Sequence, residues 1–327
     1  VDNVLATSTL SVTADDRVLI VLPMFHIYTL GGTLAMVAAQ AATAVIERRF
    51  DSYRTLRTIR DQRITNIPGA PSIWAAWSAE PSAPSALSGA RMLFSGAAPL
   101  PPAVHEQIVT LTGLPLHEGY GLTEAAPGVS STLASARARV GTVGRPLPGV
   151  EVRLLDEDGA PVDEGDPGEI SIRGANLFSG YWPDGVDGPD EDGWFSTGDV
   201  AYFDDQGDLV LVDRRKELVI VNGFNVYPRE VEEALHELEG VAEAAVVGVP
   251  HPITGEAVKA YVVVASGAHL TPEAIRAHAA TRLARFKQPT IIEIVDELPH
   301  SATGKVAKRL LRPDRPEKRP DRDQGAA

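Results

Sequence analysis

The chain has 327 residues, of which 44% are hydrophobic, and its formal net charge is −14. This length suits about two domains with real hydrophobic cores. The acidic balance argues against a nucleic-acid partner, because neutralising phosphates requires a clustered excess of Lys and Arg. Since the sequence contains no cysteine, it excludes a disulfide framework, a thiolate nucleophile and a thiolate metal site.

The most apolar stretch, residues 31–46, is too short to span a bilayer, and Gln40 interrupts it. We interpret the stretch as a buried helix. No signal peptide is visible, although the chain begins with Val1 and shows no obvious natural start. The expectation is a soluble, cytoplasmic protein without a transmembrane segment, whose oligomeric state the sequence does not indicate.

The first part of the chain alternates strands, loops and helices, which is typical of an α/β fold. Residues 18–22 form an apolar run that Pro23 closes, the pattern of a buried strand. A second strand at 92–94 runs into the small-residue loop 95–99, and a helix is predicted from Pro101 to about residue 112. Ligands of such sheets bind where the strands end.

From about Val140 the sequence changes to short alternating strands and turns. Strands are predicted at 150–155 and 168–174, with a turn at 158–159, so the section up to about residue 213 indicates a β subdomain.

The last part of the chain predicts a small α+β domain. Pro228 begins an amphipathic helix, and strands are predicted at 244–249, 258–264 and 290–295. Thr271 is the predicted N-cap of another helix, since Pro and Glu follow it. The patterns therefore predict a large α/β domain with a β subdomain, followed by a small α+β domain.

The segment His-Glu-Gly-Tyr-Gly-Leu-Thr-Glu, which ends at Glu124, combines groups that suit a nucleotide phosphate. Gly119 and Gly121 would let the backbone approach a ligand closely. Thr123 would donate to a phosphate oxygen, and Glu124 would hold magnesium. Tyr120 offers a flat face for a base. An ordinary glycine turn with a surface acid is the alternative for this segment alone.

A second candidate is Lys305 in Ser-Ala-Thr-Gly-Lys. A Walker-type phosphate loop is excluded, because position 299 is proline where the first glycine should fall, and Val306 replaces the hydroxyl that would bind magnesium. We interpret the segment as a mobile loop that presents one ammonium group to an anionic oxygen.

Two weaker candidates are single residues. Asp199 follows a small-residue turn, and its carboxylate would accept bonds from two ribose hydroxyls, although Thr-Gly-Asp also occurs as a plain turn. His26 follows a buried strand and would border a pocket, unless it is a packed or surface histidine.

Each motif is weak alone, but their joint order and spacing are specific. The chain resembles the adenylate-forming (AMP-binding) superfamily of acyl-CoA synthetases, luciferases and peptide-synthetase adenylation domains, most closely the fatty-acyl and aryl CoA ligases. The matching segments, within residues 15–312, are Pro23–His26, Ser95–Leu100, Gly119–Glu124, Gly168–Ile170, Gly180–Trp182, Ser196–Asp199, Asp213–Arg214, Gly223–Pro228 and Thr303–Lys305.

The resemblance implies that a carboxylic acid, here a medium- or long-chain fatty acid, reacts with ATP to give acyl-AMP, and that coenzyme A then displaces AMP. Magnesium accompanies the ATP. The residues that the resemblance would place around the nucleotide are Ala97, Glu118, Gly119, Tyr120, Thr123, Asp199, Arg214 and Lys305.

Further roles follow from the same resemblance. Lys305 with Thr123 and Glu124 would be catalytic, and Glu124 would be the metal ligand. His26 would line the acyl pocket. Gly223 would approach the coenzyme A channel.

The resemblance also implies a division into domains. The incomplete large α/β domain would span residues 1–215 and the small mobile α+β domain residues 216–312, with Lys216 as the hinge. Residues 313–327 have no apolar periodicity and are predicted to form a disordered tail.

Three departures from the family pattern qualify the resemblance. Ile220 stands where the aryl ligases and luciferases place a lysine, and His251 stands where an acid is common. The family's Ser/Thr/Gly-rich phosphate loop, which ends in Pro-Lys-Gly, does not occur in this sequence. The chain is therefore expected to be the C-terminal part of a longer enzyme. The alternatives are a non-catalytic or partner-dependent fragment, or an adenylation domain acting on amino or aryl acids.

Overall fold

The computed structural model describes residues 11–300 and 305–312. The chain divides into two compact units, of which the first ends at Arg215 and the second begins at Lys216. Within the described residues, no helix combines the length and the apolar character that a membrane crossing needs. The tail predicted at 313–327 lies outside the described residues.

The first unit contains most of the strands and helices. Its strands are β1 (Arg17–Ile20), β2 (Thr43–Ile46), β3 (Asn66–Gly69), β4 (Met92–Ser95), β5 (Leu116–Gly121), β6 (Gly128–Ser131), β7 (Arg145–Pro146), β8 (Val150–Leu155), β9 (Gly168–Gly174), β10 (Phe195–Phe203) and β11 (Leu209–Arg214). Its α-helices are α1 (Ile27–Thr29), α2 (Ala35–Ala39), α3 (Ser52–Asp61), α4 (Pro71–Ser78), α5 (Ala83–Leu87) and α6 (Pro102–Thr112).

The second unit is smaller and mixes both kinds of element. Its strands are β12 (Val219–Val221), β13 (Phe224–Val226), β14 (Val241–His251), β15 (Gly255–Val264) and β16 (Ile291–Val295). Its α-helices are α7 (Pro228–His236) and α8 (Pro272–Arg282).

The first unit is built on a seven-stranded sheet of order β2-β1-β3-β4-β5-β6-β7. Its strands β1 to β5 pair in parallel, and β5, β6 and β7 pair antiparallel. The apolar run in β1 is almost fully shielded, so the predicted buried strand is confirmed. Trp74 and Trp77 pack in the core against β1, β3 and β4, where their large side chains bury much apolar area.

The prediction of one buried helix over residues 31–46 is wrong. The helical backbone ends at Ala39 after a π-helical stretch, Leu30–Leu34, and residues Thr43–Ile46 form β2, which pairs in parallel with β1. The β-branched side chains of β2 favour a strand over a helix. The backbone reverses at Ala41, whose φ is 52°.

An antiparallel sheet of order β11-β10-β9-β8 forms the β subdomain of the first unit. The strands predicted at 150–155 and 168–174 are confirmed with the same bounds. Alternation along β9 buries Ile170 and Ile172, which join a cluster that also contains Tyr120 from β5. The two sheets of the first unit therefore share an apolar core next to the end of β5.

The second unit has a five-stranded sheet in which β12 to β15 pair antiparallel and β16 pairs with β15 in parallel. Helix α7 buries Val231 and Leu235 in the core of this unit, as its amphipathic pattern predicts. Thr271 accepts a bond from the Ala274 amide at 3.3 Å, so the predicted N-cap is confirmed.

An ion pair between the buried Asp16 and the exposed Arg91 ties together the amino ends of three parallel strands. Asp16 precedes β1, Thr65 precedes β3 and Arg91 precedes β4. The Asp16 carboxylate accepts from the Thr65 hydroxyl at 2.7 Å, from Nε of Arg91 at 3.1 Å and from the Thr13 amide at 2.7 Å. Burial opposes ionisation of Asp16, but the bonds from Arg91, Thr65 and Thr13 outweigh it and hold the pKa of this carboxyl below its ordinary value. These bonds therefore help to fix the register of β1, β3 and β4 at their amino ends, opposite the carboxyl ends of the strands.

We expect Asp16→Asn to lower the free energy of unfolding by about 2 kcal/mol at pH 7, because it removes charged acceptors from Arg91 and Thr65. A lowered folded-state pKa stabilises the fold above the ordinary pKa of 3.8, and this contribution disappears as the pH falls below that value. The difference between wild type and variant in urea unfolding should therefore shrink as the pH falls from about 4 through the lowered folded-state pKa. Asp15→Asn, on an exposed neighbour, is the control. A difference that is independent of pH would contradict the ion-pair account.

Candidate active site

The first candidate region is the turn at the carboxyl end of β5. This strand ends at Gly121, and a 3-10 turn, Thr123–Ala125, follows it. Alternation along β5 buries the side chains of Glu118 and Tyr120, whereas Thr123 in the turn is exposed. The predicted strand-to-turn element is confirmed, and it presents a hydroxyl to solvent where ligands of parallel sheets bind.

The structure shows a packing reason for glycine at positions 119 and 121. A Cβ at Gly121 would lie 2.1 Å from the Pro127 carbonyl oxygen, and a Cβ at Gly119 would lie 2.8 Å from the Phe94 ring. Contacts this short do not occur in close-packed proteins. Packing therefore requires glycine at both positions, because the space in the Cβ direction is filled by the protein itself. Their close approach to a ligand stays a prediction.

Tyr120 joins the end of β5 to the β subdomain. Its hydroxyl donates to Oδ2 of Asp199 at 2.6 Å, and Nε of Arg214 donates to Oδ1 of the same carboxylate at 3.1 Å. Burial and then the Asp199 charge raise the pKa of Tyr120 well above its ordinary value, so the phenol stays protonated and acts as the donor. The Tyr120 ring is only 9% exposed, which restricts the flat face that the sequence predicts for a base.

Two neighbouring strands bring Asp199 and Arg214 together. They lie opposite each other in the antiparallel register of β10 and β11. The backbone amide of Asp199 donates to Oγ1 of Thr197 at 3.1 Å, which stabilises the turn before Asp199. Gly198, whose φ is 75°, forms part of the same turn. The Asp199 side chain is 15% exposed and that of Arg214 is 50% exposed. The carboxylate is thus fixed, and the guanidinium faces solvent beside it.

Glu124 has a partner that the sequence analysis did not assign. Tyr181 donates its hydroxyl to Oε1 of Glu124, from 57 residues further along the chain. This bond raises the pKa of Tyr181 to about 12, because ionising the phenol would place two negative charges side by side. The motif Gly180-Tyr-Trp182 contains Tyr181, but no local pattern indicates which residue its hydroxyl meets. Tyr181 therefore orients the carboxylate that is the predicted metal ligand.

Ala97 lies in the loop that follows β4, the strand next to β5 in the sheet. Its φ of 72° places a residue with a side chain in the left-handed region. Such a backbone costs on the order of 1–3 kcal/mol and is typical of functional sites. The loop after β4 and the turn after β5 consequently lie at the same edge of the sheet.

His26 serves as the N-cap of α1, where its Nδ1 accepts a bond from the Tyr28 amide at 3.2 Å. The π-helical stretch after α1 contacts the turn that follows Glu124, because a Cβ at Gly31 would lie 3.2 Å from Cδ of Pro127. A π-helical stretch of this kind is common at functional sites. His26 therefore has a structural task, and it lies on the segment that packs against the candidate site.

The remaining predicted residues belong to the second unit. Lys305 is exposed, and the next residue, Val306, forms a β-bridge with His300. Lys216 is exposed at the first position of the unit, and Gly223, with φ 81°, forms the tip of the β12–β13 hairpin. Residues 301–304 of the predicted lysine loop lie outside the described residues.

Two of the three departures from the family pattern, Ile220 and His251, also lie in the second unit. Ile220 is 48% exposed on β12. His251 ends β14, and its Nδ1 accepts from the Thr254 amide at 3.2 Å, so it closes the turn between β14 and β15.

Comparison with known proteins finds two matching family models. The family model described as "AMP-binding enzyme" matches residues 1–182, and the model "AMP-binding enzyme C-terminal domain" matches residues 230–305. Both matches contain candidate residues described above.

Individual relatives cover different parts of this chain. A long-chain-fatty-acid–CoA ligase of Yersinia pestis is 45% identical over 227 residues, which are 69% of this chain and 40% of that protein. A feruloyl-CoA synthase of an Amycolatopsis species is 38% identical over 314 residues, 95% of this chain and 63% of that protein. The chain therefore spans less than two thirds of the length of either relative.

A solved structure, ATP-bound MatB from Rhodopseudomonas palustris, has a TM-score of 0.89 and 34% identity, and the match covers 95% of this chain and 63% of that one. The family models, the sequence relatives and this structure agree with one another. The chain therefore belongs to the AMP-binding enzyme family.

Proposed function

We propose that the chain is the C-terminal part of an ATP-dependent acid–thiol ligase. In the first step an oxygen of the substrate carboxylate attacks the α-phosphorus of ATP, and the bond to pyrophosphate breaks. In the second step the thiol of coenzyme A loses its proton and attacks the acyl carbon, and AMP leaves. Ligases of this class need groups that bind the nucleotide and a cation for the transferring phosphorus.

The observation that carries this proposal is the Tyr120–Asp199–Arg214 set. Tyr120 and Arg214 hold the Asp199 carboxylate from two sides, at 2.6 Å and 3.1 Å. A fixed carboxylate beside an exposed guanidinium suits the paired hydroxyls of a ribose, which need an acceptor and a donor. Thr123 is exposed in the turn that follows Tyr120, where its hydroxyl would donate to the α-phosphate.

Magnesium fits the donor set at the same turn. Glu124 offers hard carboxylate oxygens of the kind that Mg²⁺ prefers, and phosphate oxygens of the nucleotide would complete the shell. When bound, the ion would neutralise phosphate charge. Glu124 would bind it, and Tyr181 would hold that carboxylate in place through its hydroxyl.

A medium- or long-chain fatty acid is the proposed substrate. The name of the Yersinia relative, at 45% identity, supports an aliphatic acid. The name of the Amycolatopsis relative, at 38% identity, supports an aromatic acid instead. Ile220 favours the first, because the sequence resemblance expects a lysine there in the aryl ligases. His26 would line the acyl pocket.

The second candidate is a non-catalytic or partner-dependent fragment. It is supported by the share of relatives that the chain covers, 40% of the Yersinia ligase, and by the absence from this sequence of a Ser/Thr/Gly-rich segment ending in Pro-Lys-Gly. Such a segment would add backbone donors for the triphosphate. A chain without these donors would bind ATP weakly.

An assay of pyrophosphate release with ATP and a panel of carboxylic acids separates the ligase proposal from the fragment hypothesis. The panel should contain fatty acids of several lengths, ferulic acid and amino acids, each with and without coenzyme A. Robust turnover by the 327-residue chain would contradict the fragment hypothesis. Turnover of amino acids that needs no coenzyme A would contradict the ligase proposal.

Lys305→Ala should lower the adenylation rate on the order of a hundredfold or more, because it removes a cation that meets the phosphate in the transition state. Thiolysis of supplied acyl-AMP should change little. Arg309→Ala removes one exposed charge from the same segment and is the matched control. Pyrophosphate release and thioester formation are measured separately, in a form of the protein that adenylates. An equal loss in both steps would refute the assigned role.

Glu124→Gln should raise the Mg²⁺ concentration needed for half-maximal adenylation by at least about tenfold, since the neutral amide is a weaker ligand for a hard cation. Tyr181→Phe should shift it in the same direction by less. A Mg²⁺ titration of pyrophosphate release at saturating ATP gives both values. Glu106→Gln, an exposed acid on α6, is the control. Identical titrations for Glu124→Gln and wild type would exclude Glu124 as the ligand.

A further inference from the structure

The segment that follows Lys305 carries a shielded ion-pair network. Nζ of Lys308 lies 2.8 Å from Oε1 of Glu232 on α7 and 3.3 Å from Oε2 of Glu217. Their side chains are 15%, 16% and 22% exposed, respectively. The carboxylate of Glu232 also accepts from the Val246 amide at 2.6 Å. Because these charges are largely removed from water, salt screens them less than it screens surface pairs. The Lys308 ammonium is held by two carboxylates, and the Glu232 carboxylate is held by Lys308 and by the Val246 amide.

Two further bonds hold the same segment. The Tyr261 hydroxyl donates to the Leu311 carbonyl at 3.0 Å, and Nη1 of Arg312 donates to the Lys216 carbonyl at 3.1 Å. Lys216 is the predicted hinge, and Glu217 follows it directly. The segment is therefore attached to the first two residues of the second unit as well as to its sheet.

The distance along the chain from Lys308 to Lys305 is short. Three residues of extended chain reach at most about 10 Å, so anchoring Lys308 confines Lys305 to a small volume. Between them, Val306 forms the bridge with His300, and the Ala307 amide donates to the Pro299 carbonyl at 2.7 Å. Lys305 thus lies next to a bridge and just before an anchored segment.

We propose that Lys308 is the positioning residue for Lys305. By pairing with Glu217 and Glu232, it makes the segment that carries the lysine and the start of the second unit move as one piece. A change of backbone angles at Lys216 then moves Lys305 as well, because the segment that carries Lys305 is tied to the start of the second unit. This inference rests on the proposed function, in which Lys305 acts in adenylation.

The test compares Lys308→Met, which keeps the aliphatic stem and removes the charge, with Lys308→Arg, which keeps the charge. The control is Lys287→Met, which breaks another pair of the second unit, 2.6 Å from Oε1 of Glu230. Lys308→Met should lower kcat for pyrophosphate release on the order of tenfold, with little change in KM for ATP. A displaced Lys305 would stabilise the transition state less, whereas it would affect ATP binding little. Thiolysis of supplied acyl-AMP should stay within about twofold of wild type. Lys308→Arg should restore most of the rate, and Lys287→Met should leave both steps unchanged.

Hydrogen exchange of the 327-residue chain gives a second measurement that needs no activity. Peptides covering residues 305–312 and the Val246 amide should exchange faster in Lys308→Met than in wild type and Lys287→Met. Unchanged exchange would overturn the anchor, whatever the activity. Faster exchange with equal losses in both half-reactions, or with none, would overturn the link to Lys305. Absence of pyrophosphate release from wild type, with every acid tried, would instead count against the proposed function.

Discussion

The hydrogen bond from the Tyr120 hydroxyl to the Asp199 carboxylate joins the two sheets of the first unit where the parallel strands end. Both groups are largely shielded from water, so removing either one would deprive the other of this hydrogen bond and would lower the free energy of unfolding. Arg214 occupies the second oxygen of Asp199, and the apolar cluster around Tyr120 fixes the distance between the sheets. The relative positions of Tyr120, Asp199 and Arg214 therefore depend on this bond.

The same edge of the sheet collects the other candidate groups for a physical reason. Parallel strands end side by side, so the loop after β4 and the turn after β5 are neighbours whatever their separation along the chain. The opposite edge carries the Asp16–Arg91 ion pair, which holds the strand starts together. The ion pair and the candidate site therefore lie at opposite ends of the same strands, and Ala97 has its left-handed backbone beside the candidate site.

In the second unit, charge pairs hold the segment that follows the candidate lysine Lys305. Lys308 lies between two carboxylates from different elements, and Arg312 reaches the first residue of the unit. Lys308 is thus used internally, because a partly buried cation needs opposite charges close by.

Local patterns were enough to predict much of the fold and some of the site. The alternation of residues 150–155 and 168–174 set both strands, since side chains of a strand point to opposite faces in turn, and the motif order identified the family. Tertiary contacts decided the rest. Residues 43–46 form a strand because β1 offers them a parallel partner, and Tyr181 meets Glu124 across 57 residues. Gly121 packs against Pro127, a contact that the sequence around Gly121 does not indicate. The sequence determines which groups are available and what each short segment prefers, whereas packing between distant segments decides which groups meet.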